Sequence, residues 1–565
     1  MVPPPLARPS RAATYESEGV GRSTTVRAGP VTDWFLTARE RGNPATEIDR
    51  RRGDGTSWTE GNRVELLVDG AEYFRRLHHE LGRVQPGDWV HLTDWEGDLD
   101  EHLDGPGTEL GTVLCDLARR GVHIRGLLWR SHPRQAHFGE QDNSSLARAV
   151  NEAGGELLLD ERVRRDGSHH QKLVLIRRAD SEDDVAFVGG IDLCHGRRDD
   201  HDHHGDPQPP ELSPEYGDRP PWHDLQLEIR GPAVGDLAHT FRERWTDPTP
   251  LDHHNPLRAV VRRLTHQPRH PEPLPPARAD PPVAGTCAVQ VLRTYPAKRP
   301  PFPFAPEGER SIGRAYEKAL SHAQRLIYLE DQYLWSSHAA RAIADALRAH
   351  PGLHVIAVVP RYPEQSGRVA ATSETIGRQR VLRTLYEAGG DRVAVYDLEN
   401  RAGTPIYVHA KVCVIDDIWM EVGSDNLNRR SWTHDSEISC AILDRELDGR
   451  SPVDPTGTTE PARRIARDAR LRLWREHLGR SIGANEHDDG DLVDFVSGFA
   501  AFRSTADALD DWWESGRVGP RPPGHVRPHR PKQVPWYSRG WARIVHGLFV
   551  DPDGRPREMR RHNAV

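Results

Sequence analysis

Residues 168–192 read SHHQKLVLIRRADSEDDVAFVGGID, and residues 407–426 read YVHAKVCVIDDIWMEVGSDN. Each stretch is an apolar run, a polar turn and a second apolar run closing on glycine, the pattern of two short buried strands. Each opens on His-x-Lys: His170-Gln171-Lys172 in the first and His409-Ala410-Lys411 in the second. Residues i and i+2 of an extended chain point to the same face, so each stretch projects an imidazole and an ammonium together.

Outward from these two stretches the same order of elements is repeated. Before the first lie VELLVDG, AEYFRRLHHELGRV, WVHLTDW, TELGTVLCDLARRG, HIRGLLW, SSLARAVNEAGG and ELLLD, alternating strand and helix; after it come LQLEIRG and a helix from Pro232. Before the second lie CAVQVLR, SIGRAYEKALSHAQ, RLIYLEDQYLW, HAARAIADALRAH, LHVIAVV, ETIGRQRVLRTLYEAGG and VAVYDLE; after it come SEISCAIL and ARRIARDARLRLWREHL. The alternation predicts an α/β chain of two similar halves, with mixed, largely parallel sheets flanked by helices, packed with pseudo-twofold symmetry around a shared cleft. The expected organisation is a flexible N-terminal arm over 1–60 with a docking segment near Trp34 and Phe35. A first half over 61–250, a proline-rich linker over 251–283, a second half over 284–480 and an accessory segment over 481–565 follow.

Composition narrows the function. Lys+Arg number 76 against 85 Asp+Glu, a net charge of -9, which gives no basic excess for indiscriminate nucleic-acid binding. No apolar run approaches the roughly 18 to 20 residues that cross a bilayer. The five cysteines, Cys115, Cys194, Cys287, Cys413 and Cys440, show no CxxC spacing, so a reducing compartment is expected and neither a disulfide framework nor a zinc site is indicated. Only five of the 76 basic residues are lysine, and two of those five occupy the matched positions Lys172 and Lys411. A compact ammonium differs from a planar guanidinium, which gives lysine a physical motive at these sites. Two histidines and two lysines in one pocket suit phosphodiester chemistry. The ammonium groups neutralise the non-bridging oxygens while one imidazole attacks phosphorus and the other protonates the departing alkoxide. No metal and no cofactor is needed.

On these residues the chain resembles the phospholipase D superfamily, whose signature is H-x-K-x4-D followed by G-[SG]-x-[ND], present twice. The second copy is complete, with His409, Lys411 and Asp416, then Gly423-Ser424-Asp425-Asn426; the first has His170 and Lys172, then Gly189-Gly190-Ile191-Asp192, with Arg177 in place of the aspartate. Strand parity turns position 177 away from the imidazole, toward scaffold rather than chemistry, and the tip RRADSEDD is expected to return Asp180 or Asp184 instead. VGGIDLCHGRRDD, PPWHDLQLEIRGPA, IYLEDQYLW, NLNRRSWTHDSEISC and LRLWREHLG resemble further blocks of the eukaryotic-type branch, so the likeness covers about residues 64 to 480.

The resemblance implies that Asp224 orients His170 and Glu437 orients His409, that Ser424 and Asn426 donate to the phosphate, that Asp192 and Gly190 line the pocket, and that Asp416 supports the scaffold. It also implies that His170 is the nucleophile; the local sequence leaves the two histidines symmetric. The expected activity is hydrolysis of a glycerophospholipid to phosphatidic acid and a free head group, with transfer to an alcohol as a variant. A phosphatidyltransferase of cardiolipin-synthase type, a nucleic-acid phosphodiesterase and an inactive lipid-binding relic are the alternatives. The expected partners are the phospholipid substrate and, transiently, a membrane surface, with no nucleic acid; a cytoplasmic or membrane-peripheral monomer fits.

Three further segments carry expectations. DDHDHHGD, residues 199–206, reads as a solvated charge-rich loop rather than a metal site for want of disciplined ligand spacing. Residues 536–550 place Trp541, Ile544, Val545, Leu548 and Phe549 on one helical face, read as a helix docking on its own domain in preference to an interfacial lipid anchor. The insert AKRPPFPFAPEGER, 297–310, is equally a cleft rim or a surface loop.

Overall fold

The computed structural model describes residues 30–53, 55–130, 140–251, 270–364, 368–458, 460–480 and 490–562. Half of the expected arm, residues 1–29 and 54, and the first part of the linker therefore lie outside the described residues. The strands of the first half are β1 Thr59–Val68, β2 Trp89–Asp94, β3 His123–Trp129, β4 Glu156–Asp160, β5 Leu173–Arg177, β6 Val185–Gly189, β7 Trp222–His223 and β8 Leu225–Arg230. Those of the second are β9 Cys287–Tyr295, β10 Glu309–Arg310, β11 Leu326–Asp331, β12 His354–Val358, β13 Val393–Glu399, β14 Pro405–Val408, β15 Lys411–Ile415, β16 Trp419–Gly423 and β17 Glu437–Asp444, and β18 is Val526–Pro528.

Pairing gives the order β4-β3-β2-β5-β6-β8-β1 in one sheet and β13-β12-β11-β15-β16-β17-β9 in the other, the same path twice. Pairing is parallel along β2-β3-β4 and β11-β12-β13, where a helix joins consecutive strands, and antiparallel in the rest of each of these two sheets. The edge strands β1 and β9 pair with each other and join the two sheets.

Side-chain parity divides the core into layers. Leu173, Leu175, Ala186, Val188, Leu227 and Ile229 share one central cluster with Val412, Val414, Met420, Val422, Ile438 and Cys440 of the other half. The alternate residues Val174, Ile176, Val185 and Phe187 pack outward beneath the first half's helices, as Cys413 and Ile415 do in the second. The result is two sheets face to face with helices on the outer faces, and both His-x-Lys stretches run along the shared interior.

Two flanking segments are more closely built in than the sequence suggests. From Pro30 the arm is packed: Val31, Trp34, Phe35 and Leu36 are buried against the second half, and Arg41 bridges Asp49 and Glu309. The C-terminal segment extends the second sheet, with β18 antiparallel to β13 and Phe495, Phe499 and Phe502 of helix Phe495–Glu514 in the central cluster. Among the described residues no helix is long and apolar enough to cross a membrane.

Candidate active site

Two short pairings between the halves build the site. β14 runs parallel to β7, with Tyr407 opposite Trp222 and Val408 opposite His223, and the His409 N–H donates to the His223 carbonyl at 2.8 Å. The counterpart is a bridge between His169 and Ser436, with the His170 N–H donating to the Ser436 carbonyl at 2.9 Å. Each His-x-Lys stretch therefore lies beside the acidic block of the other half. His170 Nδ1 sits 2.8 Å from Glu437 Oε2, and His409 Nδ1 sits 2.6 Å from Asp224 Oδ2. The pairing is crossed. The expectation that Asp224 holds His170 and Glu437 holds His409 is corrected, because the strand pairing that sets each neighbour runs between halves and not within them.

Both imidazoles line one cavity of about 260 Å³, together with Trp95, Trp129, Asp192, Arg197, Gln332 and Asn426. Burial, then the ammonium of Lys172, pushes the His170 imidazole down to about 3. Burial and Lys411 hold His409 well below its usual range, while burial raises Glu437 and Asp224. Each carboxylate thus holds Nδ1 of its imidazole and leaves Nε2 toward the cavity.

Lys172 lies 3.0 Å from Asp192. Burial would raise this carboxyl, but Lys172 and Arg197 hold it down to about 2, so it is an anion that offsets one lysine. The matching slot in the second half is Asn426, whose Oδ1 has no hydrogen-bond partner. Among the described residues Lys411 hydrogen-bonds Gln332 Oε1, at 3.4 Å, and the His409 carbonyl, and burial lowers it to about 8. The second half therefore presents the less committed ammonium to an incoming anion.

A phospholipase D model matches residues 101–295, and the model for the cardiolipin synthase, phospholipase D-like domain matches residues 316–450. One model falls on each half, each containing one His-x-Lys stretch. The chain belongs to the phospholipase D superfamily. Among curated relatives, phospholipase D alpha 1 of Oryza sativa subsp. japonica is 26% identical over 517 residues, covering 69% of this chain and 62% of that protein. Phospholipase D alpha 1 of Vigna unguiculata is 27% identical, covering 80% of this chain and 68% of its own. The chain thus spans about three fifths of the length of the first of these relatives. The solved phosphatidylserine synthase of Haemophilus influenzae aligns with a TM-score of 0.47 at 15% identity over 67% of this chain and 82% of that one.

Several superfamily positions do different work here. The Ser424 hydroxyl donates to Glu437 Oε2 at 2.6 Å and accepts the Ile438 N–H, so it braces the carboxylate instead of meeting a phosphate. Gly190 is absent from the cavity wall; a Cβ there would stand 2.2 Å from Asp224 Oδ1, so the glycine makes room for the carboxylate that holds His409. Asp416, in the left-handed region at φ 54, accepts the N–H groups of Gln324, Arg325 and Leu326 at 2.7 to 2.8 Å and pins the start of β11. In the first half Arg177 pairs with Asp184 at 2.6 Å away from the cavity, and Asp88 ties Gln85 N–H and Ala179 N–H in its stead.

Other cavity residues were not singled out by the motifs. Arg197 stacks 4.1 Å over the Trp222 ring and reaches Asp192 at 3.6 Å; Arg430 pairs with Asp435 at 2.6 Å. Trp95 and Trp129 stack at 5.6 Å, Tyr333 and Trp335 at 4.0 Å, and the carboxyls of Glu364 and Glu374 complete the wall. Arg197 and Arg430 lie inside the resembling blocks GGIDLCHGRRDD and NRRSWTHDSE, which is the signal that points to them. The 297–310 insert contributes nothing to this wall: Phe302 and Phe304 pack on Tyr295. The 199–206 run is solvated only in part: Asp200, His201, Asp202 and His204 are exposed, whereas Asp199, His203 and Asp206 are buried. The helix Arg539–Val545 docks through Ala542 on Ile376 and Val534, whereas the face expected to dock stays outside, with Trp541, Ile544, Leu548 and Phe549 exposed beside Trp536; Val550 reaches the cavity wall.

Proposed function

We propose that the chain is a phospholipase D that hydrolyses glycerophospholipids such as phosphatidylcholine to phosphatidic acid and the free head-group alcohol through a phosphohistidine intermediate. The observation that carries the reading is the pair of crossed imidazole–carboxylate couples on one cavity with a lysine beside each. In the first step His170 Nε2 attacks phosphorus, the bond from phosphorus to the head-group oxygen breaks, and His409 delivers a proton to that oxygen. In the second, His409 takes a proton from water, the water oxygen attacks phosphorus, and the nitrogen–phosphorus bond breaks. Lys411, Lys172 and the Asn426 amide stabilise the negative charge that gathers on the non-bridging oxygens. Assigning the attack to His170 rests on the family resemblance.

The aromatic walls and the two carboxyls beyond the couples suit a cationic head group. The exposed apolar residues between Trp536 and Phe549, continuous with the cavity rim at Val550, suit transient contact with a membrane surface by a peripheral, cytoplasmic protein. The second half's match to a cardiolipin-synthase-type domain favours one further reading, phosphatidyl transfer to a lipid alcohol by the same chemistry. The test is incubation of the purified protein with phosphatidylcholine vesicles and ethanol. Choline and phosphatidylethanol are expected, with loss of both in His170→Asn and in His409→Asn. No release from any head group in a panel overturns the proposal, and product only when a lipid alcohol is supplied selects the transferase.

A further inference from the structure

Four side chains of metal-ligand type meet at the junction of the halves, outside the catalytic cavity. Asp69 follows β1, His203 lies in the DDHDHHGD run, His223 ends β7, and Glu476 belongs to the last turn of helix Arg464–His477 of the second half. They are 2%, 1%, 0% and 5% exposed. One ligand atom from each lies within 4.8 Å of all the others. His223 Nδ1 is 2.9 Å from Asp69 Oδ1 and 3.2 Å from Glu476 Oε1, and His203 Nε2 is 3.3 Å from Glu476 Oε1.

The outer nitrogens of both rings are already committed. His223 Nε2 faces Glu330 Oε2 at 2.8 Å, and the other oxygen of Glu330 accepts from the Tyr328 hydroxyl at 2.5 Å and faces His477 Nε2 at 2.9 Å. His203 Nδ1 faces the Trp222 carbonyl at 3.2 Å, which only accepts, so this nitrogen carries the ring's hydrogen. With those hydrogens outside, the inward atoms are two ring lone pairs and two carboxylate oxygens. Four acceptors at contact distance repel one another unless positive charge sits among them. Independently, Asp69 Oδ2 is buried without a hydrogen-bond partner, and Asp69 holds φ at 65°, a conformation costly for a residue with a side chain.

We propose that Asp69, His203, His223 and Glu476 form a closed tetrahedral site for one structural divalent cation of the zinc class. Ligand bonds of about 2.0–2.1 Å make tetrahedron edges of about 3.3 Å, close to three of the six edges at 2.9, 3.2 and 3.3 Å, and two carboxylates balance the cation's charge. Glu330 behind His223 completes the carboxylate–histidine–metal arrangement that fixes ring orientation. Four protein ligands leave no open position, so the ion is structural. It ties the end of β1, the 199–206 run and β7 to the second half, and the residue after His223 is Asp224, the carboxylate that holds His409. The expectation of no metal then applies to the reaction and not to the chain.

The test is metal analysis of the full-length protein, purified from zinc-supplemented culture and washed with EDTA. About one zinc per chain is expected, falling at least tenfold in His203→Ala; replacement by Co²⁺ during refolding is expected to give the intense visible absorption of a tetrahedral site. Should the variant not fold, the wild-type stoichiometry and the cobalt spectrum decide alone. Less than about a tenth of an ion per chain with no cobalt band overturns the proposal and leaves the centre to protons on both imidazoles.

Discussion

Replacing Glu437 by Gln disables the histidine of the opposite half. His170 Nδ1 lies 2.8 Å from Glu437 Oε2, and the two side chains are 16% and 1% exposed, so water does not replace the lost charge. A hydrogen bond to a charged group contributes about 1.5–3 kcal/mol, a factor of roughly 10 to 150 in rate. A carboxamide also offers an N–H to Nδ1 and favours the tautomer with hydrogen on Nε2, the attacking atom, which carries the loss toward ~10⁴. The assay is a single turnover with a p-nitrophenyl phosphodiester, whose leaving group needs no proton, followed by mapping of the acid-labile adduct. Glu437→Gln is expected to slow labelling of His170 by about 10²- to 10⁴-fold. Asp224→Asn is expected to label His170 within about tenfold of the wild type and then to hold the adduct, because His409 no longer activates water. The reasoning is refuted if Asp224→Asn blocks labelling of His170 while Glu437→Gln spares it, the result that pairing within each half requires.

Two further outcomes follow from the same geometry. Gly190→Ala puts a Cβ 2.2 Å from Asp224 Oδ1; overpacking of this kind costs about 1–3 kcal/mol, and turnover of phosphatidylcholine is expected to fall at least about tenfold with adduct formation from the activated ester little changed. For pH, burial and Lys172 lower the His170 imidazole to about 3. A depressed imidazole stays neutral as pH falls, so adduct formation from the activated ester is expected to be flat from about pH 7, below the value of about 8 for Lys411, to about pH 5; a midpoint near the free value of about 6.5 contradicts the environment described for this ring.

What the sequence discloses about this site divides along one physical line. Parity within a strand is local, so His170 with Lys172 and His409 with Lys411 were legible as pairs, and Arg177 as a residue facing away. The crossing of the carboxylates was not legible, because it depends on a two-residue strand, β7, meeting β14 from the other half. The motif alone points Gly190 and Ser424 at substrate, whereas in the fold one leaves space for a carboxylate and the other braces one. Charged runs read as solvated, and the burial of His203 depends on Glu476, which lies 273 positions away. The packed segment after Pro30 was half visible, through Trp34 and Phe35, but its ion pair from Arg41 to Glu309 joins parts of the chain that only the fold brings together.

The account stands most directly on two successive displacements at one phosphorus, shared between the halves. Each in-line displacement inverts phosphorus, so a phosphodiester made chiral with sulfur and isotopic oxygen, turned over by the purified protein in the presence of an alcohol acceptor, is predicted to give product with retained configuration. Inversion would mean a single direct attack by the acceptor, and no place for a histidine bonded to phosphorus.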